Sequence, residues 1–157
     1  AKHELNDIKV LSFHKGYRNI IKIWKRVNSG NDNKLAVIRD YDNQPVAERN
    51  HEALEDDQVC VRTTTGYTLE TDIVATGRNH RLLVDRYGAE YGWDNMDENE
   101  LQKDWRTHRK TDVMLRLSHD LANGELDDFT MPKHIHEALD FLLRPIGEEP
   151  NETEASS

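Results

Sequence analysis

The stretch Ala36-Val37-Ile38-Arg39-Asp40-Tyr41-Asp42 reads as a short apolar strand ending in two acids spaced i, i+2. On extended backbone, side chains two apart share a face, so the two carboxylates can converge on one ion. The carboxyl end of a buried strand is where open α/β sheets usually place their chemistry. Carboxylate oxygens are also the ligands that hard divalent ions such as Mg²⁺ prefer. A second acid pair, Glu70 and Asp72, lies in Leu69-Glu70-Thr71-Asp72-Ile73. Each pair has a bland alternative: Asp-Tyr-Asp-Asn-Gln-Pro is good turn chemistry, and acids near a helix start offset its dipole. Two such pairs in a parallel-sheet context point instead to metal-assisted chemistry on phosphate. Two ions about 4 Å apart need several carboxylates between them to clamp an in-line displacement.

Upstream, Ile8-Lys9-Val10-Leu11-Ser12-Phe13 reads as a strand, and His14-Lys15-Gly16 turns the chain. Apolar residues at Tyr17, Ile20, Ile21, Trp24 and Val27 have helical spacing. Asn28-Ser29-Gly30-Asn31-Asp32-Asn33 ends that helix. The continuous apolar run Leu35 to Ile38 fits a strand buried on both faces of a parallel sheet. Strand, helix and strand make a βαβ unit, whose crossover is expected to be right-handed.

Downstream, Pro45 opens a short helix through Leu54. Val59-Cys60-Val61 is a third strand, and Thr63-Thr64-Thr65-Gly66-Tyr67 is a polar loop leading to a helix with Thr68 as its N-cap. Residues 79–87 read as helix, as does the segment around Val113, Met114, Leu117 and Leu121, ended near Gly124. Pro132 introduces a last helix. Residues 88–106 carry Tyr91, Trp93 and Trp105 among Asp94, Asp97, Glu98, Glu100 and Asp104. They read as an acidic insertion, irregular or helical, whose acids form a solvated face. The chain thus divides into a core at 1–87, this insertion at 88–106, a helical extension at 107–146 and an acidic tail at 147–157, expected to be disordered.

The chain has 157 residues, the size of one domain. Its 30 acids against 21 bases give a formal net charge of −9, and no basic stripe announces nucleic-acid binding. Metal ions or a second domain would have to offset the carboxylates near DNA. Cys60 is the single cysteine, so no internal disulfide forms, and a reducing, cytoplasmic setting is expected. No apolar run is long enough to cross a membrane, and no membrane partner is expected.

Other reactive residues give weaker signals. Lys110, in Arg109-Lys110-Thr111-Asp112, could neutralise charge on a phosphate or protonate a leaving oxygen. On spacing alone it reads far more readily as a surface lysine. His134 and His136 form an HxH, but residues two apart on a helix face nearly opposite ways and make poor co-ligands. Cys60 reads as core. Gly16 stands alone between a strand and a helix, without the further glycines or Lys-Ser/Thr of a phosphate loop.

Taken in order, the strand at Ile8–Phe13, the amphipathic helix, Ala36–Asp42, Val59–Val61 and Tyr67-Thr68-Leu69-Glu70-Thr71-Asp72-Ile73 resemble the Toprim domain of OLD-family (overcoming lysogenization defect) nucleases. Arg109–Leu117 looks like that family's lysine-bearing helix, and Met131–Leu139 like its closing helix. The likeness covers roughly residues 8 to 143. It implies an α/β fold with a Toprim-like parallel sheet flanked by helices and a helical C-terminal extension. It implies a DNA endonuclease using two Mg²⁺ or Mn²⁺ ions, with Asp40, Asp42, Glu70 and Asp72 binding or orienting the metals and Lys110 stabilising the transition state. ATP would enter only through an upstream ATPase domain, and a homodimer or higher oligomer is expected, with phage defence or DNA processing as the setting. The family's first strand and its glutamate have no counterpart here. Glu4 lacks the expected flanking elements, so the missing strand is expected outside this chain. Alternatives are another Toprim enzyme of primase, topoisomerase or RNA-maturation type, and a non-catalytic module that docks a partner through 88–106.

Overall fold

A computed structural model describes residues 8–10, 16–41 and 52–147. The fold is α/β. Among the described residues there are six α-helices and a small sheet of two parallel strands. Strand β1, Leu35–Arg39, pairs with β2, Val59–Thr63, in a register that sets Leu35 beside Val59, Val37 beside Val61 and Arg39 beside Thr63. Both strands are rich in β-branched residues, which fit a pleated surface packed on both sides. Alternation then sends Leu35, Val37, Val59 and Val61 toward helix α1, Tyr17–Val27. That helix answers with Ile21, fully buried, flanked by Tyr17 and Trp24. Gly16 precedes it at φ 83°, a left-handed conformation that suits glycine.

The second unit is helical. Helix α2 spans Leu69–Ala75, α3 Asn79–Tyr91, α4 Glu98–His108, α5 Lys110–Ala122 and α6 Lys133–Leu143. Helix α3 ends at Gly92, φ 76°, where the Gly92 and Trp93 N–H groups both donate to the Gly88 carbonyl. A capping box starts α4: Asp97 accepts from the Glu100 N–H at 2.9 Å, and the Glu100 carboxylate accepts from the Asp97 N–H at 3.0 Å. Helix α6 packs across both strands and ties down with Arg62 Nε on Glu137 at 2.7 Å. Lys34 Nζ also donates to the Phe141 carbonyl at 2.9 Å and to that of Arg144.

The segment read as an acidic insertion is where the larger core sits. Trp93, Leu101 and Trp105 are fully buried and pack with Leu83, Tyr87, Tyr91, Val113 and Leu117. Asp94, Asp97, Glu98 and Glu100 lie on the surface. Trp93 keeps its indole N–H satisfied by Asp104 at 2.8 Å. Both tryptophans thus lie inside, and the acids of this segment form its exposed face. Helices α3 and α5 are further joined at Asp120, which is 2% exposed and accepts from Arg86 Nε at 2.9 Å and the Tyr87 hydroxyl at 3.0 Å.

Some expected elements look different or fall elsewhere. Residues 8–10 form no regular element, and the rest of the expected first strand lies outside the described residues. The helix expected from Pro45 shows only its end, a single 3₁₀ turn at Glu52–Leu54. The tail after Gly147 is also outside them. Among the described residues no helix is long and apolar enough to cross a membrane.

Candidate active site at the carboxyl end of the parallel strands

Asp40 follows β1 directly, and the chain on either side of it is pinned to one residue, Thr64. The Thr64 N–H donates to the Arg39 carbonyl at 3.0 Å, and the Tyr41 N–H donates to Thr64 Oγ1 at 2.9 Å. Thr64 is 2% exposed, and its hydroxyl donates onward to the Gly66 carbonyl at 3.0 Å. Asp40 Oδ1 then accepts the Leu69 N–H at 3.0 Å, one of the orphan donors at the start of α2. The expected cap, Thr68, makes no side-chain capping bond. A carboxylate from 29 positions upstream takes that role and places negative charge at the positive end of the helix. Asp42 lies outside the described residues.

Glu70 and Asp72 are both buried on α2, and the helix turns them to different neighbours. Residues two apart are about 200° apart around a helix axis. Glu70, 1% exposed, reaches Lys110 at the start of α5, with Nζ 3.2 Å from Oε1. Its other oxygen, Oε2, is buried with no hydrogen-bond partner among the described residues. Native proteins pair nearly all such atoms, so this oxygen keeps room for a further donor or an ion. The Lys110 side chain is 55% exposed and keeps its ammonium accessible from outside. Arg106 adds a second cation nearby, stacked 4.7 Å over the Tyr67 ring.

Asp72 uses both oxygens within the protein. Oδ2 accepts the Thr65 N–H at 2.7 Å and Oδ1 the Gly66 N–H at 2.5 Å. His134 Nδ1 on α6 lies 3.2 Å from Oδ2. Both carboxylate oxygens of Asp72 are thus engaged by the chain itself. The carboxylate locks the turn after β2 and ties α6 to it. Gly66 is required there, because a Cβ would stand 2.9 Å from Asp72 Oδ1 and 2.7 Å from Thr71 Cγ2.

His134 and Thr64 are the residues that sequence reasoning passed over. His134 is 6% exposed, and burial pushes its pKa below the usual histidine value, against the pull of the Asp72, Glu137 and Asp40 charges. A neutral ring with its proton on Nδ1 donates to Asp72 and leaves Nε2 bare, and Nε2 has no partner among the described residues. His136 points elsewhere, to Asp140 at 3.0 Å on the surface. The HxH was legible, but only as a weak metal pair, because nothing in its spacing names Asp72 as the partner.

The structure therefore gathers Asp40, Glu70 and Lys110 around the start of α2, with Asp72 and His134 behind the adjoining turn. Among the described residues, no group of three or more His, Cys, Asp or Glu side chains is arranged to hold a metal ion. The oxygen donors that suit Mg²⁺ or Mn²⁺ are the Asp40 and Glu70 carboxylates, with the unpartnered Glu70 Oε2 as the atom that fits such an ion. No protein-family model matches this chain, and neither a curated protein nor a solved structure does.

Proposed function

We propose that this chain is a Toprim-type nuclease module that hydrolyses phosphodiester bonds in DNA with divalent metal ions. The observation that carries the proposal is the Glu70–Lys110 pair: two residues named from the sequence for this chemistry stand 3.2 Å apart, and the acid is buried with an unpartnered oxygen. Asp40, Asp42 and Glu70 would hold the metal. Bound divalent ions supply polarisation of the phosphate and a nucleophilic hydroxide at neutral pH. Lys110, aimed by Glu70 yet half-exposed, offers its ammonium to a phosphate oxygen or its proton to the departing oxygen. Thr64 fixes the chain around Asp40, and Asp72 with His134 fixes the turn between β2 and α2.

The test is calorimetric titration of the intact protein with Mn²⁺, alongside plasmid cleavage. Asp40→Ala and Glu70→Ala are expected to abolish both binding and cleavage. Unchanged Mn²⁺ binding in both variants, with no cleavage by the wild type, refutes the reading.

A further inference from the structure

Helix α1 holds four bases, Arg18, Lys22, Lys25 and Arg26, and no acid, within a chain of net charge −9. The sequence as a whole shows no basic stripe because its acids outnumber its bases. Folding supplies one. Lys25 is spent on Asp56 at 2.6 Å and the Leu54 carbonyl at 2.7 Å. Arg18, Lys22 and Arg26 follow one another at i, i+4 and i+8, along one side of the helix; Arg18 is half-buried with its guanidinium 5.7 Å over the Tyr17 ring, so Lys22 and Arg26 are the cations that face solvent. Lys22 and Arg26 are exposed and have no ion-pair partner among the described residues.

The stripe is aimed. Tyr17, the first residue of α1, accepts a hydrogen bond on its hydroxyl from Arg39 Nη1 at 3.1 Å, and the Arg39 guanidinium lies 4.9 Å over its ring. Arg39 adjoins Asp40, so the Arg18 end of the stripe stands at the strand end that carries the candidate site. Eight residues at 1.5 Å rise span about 12 Å. One strand of duplex DNA presents a phosphate about every 3.4 Å along its axis, so the stripe covers three to four phosphates.

We infer that the Lys22–Arg26 face of α1 binds the phosphate backbone of the nucleic-acid substrate and leads it to the Asp40–Glu70 site. This rests on the nuclease reading above. Nucleic acid is favoured over a membrane surface because α1 has already used its main apolar face on β1 and β2. Ile23 and Val27 are the remaining large exposed apolar residues on it, too few to seat a helix among acyl chains.

The experiment measures binding of the intact protein to a labelled 20-base-pair duplex in EDTA by fluorescence anisotropy, across a salt series. For Lys22→Gln/Arg26→Gln, the slope of log K against log salt is expected to flatten by about 2, with affinity near 0.15 M salt falling at least about tenfold. Mn²⁺ binding should be unchanged in this variant. Asp40→Ala should lose Mn²⁺ binding and keep the wild-type salt slope, which separates this inference from the nuclease reading. Identical slopes for wild type and double variant overturn the inference. So does a wild type that binds no duplex near 0.05 M salt, or a defect confined to anionic phosphatidylserine vesicles.

Discussion

Replacing Glu70 with methionine should make the metal-free protein more stable, although it deletes an ion pair. Glu70 is 1% exposed, and its Oε2 has no partner. Burying an unsatisfied polar atom costs about 1–3 kcal/mol, which the variant recovers. It forfeits the favourable placement of an acid in the first turn of α2, about 0.3–1 kcal/mol. It also forfeits the pair itself, but Lys110 is 55% exposed and can turn to water, so that loss is at most about 1 kcal/mol. The balance is a gain of about 1 kcal/mol, or roughly 2–4 °C in Tm for a chain of this length. The converse change, Lys110→Met, leaves a buried carboxylate with neither cation nor donor. It should cost about 1–2 kcal/mol, less than a fully buried pair because the lysine is half in solvent. Scanning calorimetry in EDTA reads both variants. Added Mn²⁺ should then raise the wild-type Tm and leave Glu70→Met unmoved. A Glu70→Met protein that melts well below wild type in EDTA would show that the carboxylate serves the fold, and the argument from its orphaned oxygen would collapse.

Two further outcomes concern the fold. The Arg86 hydrogen bond holds the Asp120 carboxyl down to about 2, from an ordinary 3.8, with burial opposing and bonds from His119 and Tyr87 assisting. A depressed carboxyl stabilises the fold fully above its unfolded value and loses that contribution as pH falls through its folded value. Asp120→Asn should therefore cost about 1–2 kcal/mol near neutrality, and urea titrations should show the gap closing from about pH 4 toward pH 2. A gap that stays constant with pH would sink the assignment. Gly66→Ala should destabilise by about 1–3 kcal/mol because its Cβ meets Thr71 Cγ2 and Asp72 Oδ1. Adding Thr71→Ser, which removes that methyl, should restore part of the lost Tm; no recovery would place the strain elsewhere.

The legible parts of this chain are those where period and punctuation agree. Tyr17 to Val27 carries helical spacing closed by an Asn/Gly run, and helix α1 has those limits. The runs Leu35–Ile38 and Val59–Val61 are short, apolar and β-branched, and they pair as parallel strands. In segment 88–106 the acids dominate the composition and do form an exposed face, whereas packing is decided by Trp93, Leu101 and Trp105, which interlock with residues of α3 and α5. A hydrophobic pattern interrupted by surface charge does not announce which neighbours will cover it. Helix α2 shows the same limit at the site. Its start was legible, yet once it is helical, Glu70 and Asp72 cannot act as one pair.

The sequence by itself determined the local elements and the acids at their ends, because periodicity, turn residues and carboxylate chemistry are properties of neighbours along the chain. Tertiary structure alone decided what each acid does. It set Asp40 on the Leu69 N–H, Glu70 on Lys110, and Asp72 on the Thr65–Gly66 turn with His134 behind it. Apart from the adjoining Thr65–Gly66 turn those partners are distant in sequence, and only the packing of α2 against its neighbouring helices at the end of the strands brings them within hydrogen-bond reach. The strand-end acids were legible as chemistry. The division between an acid left with an unpartnered oxygen and one consumed by the fold was not, because it depends on which buried donors happen to arrive.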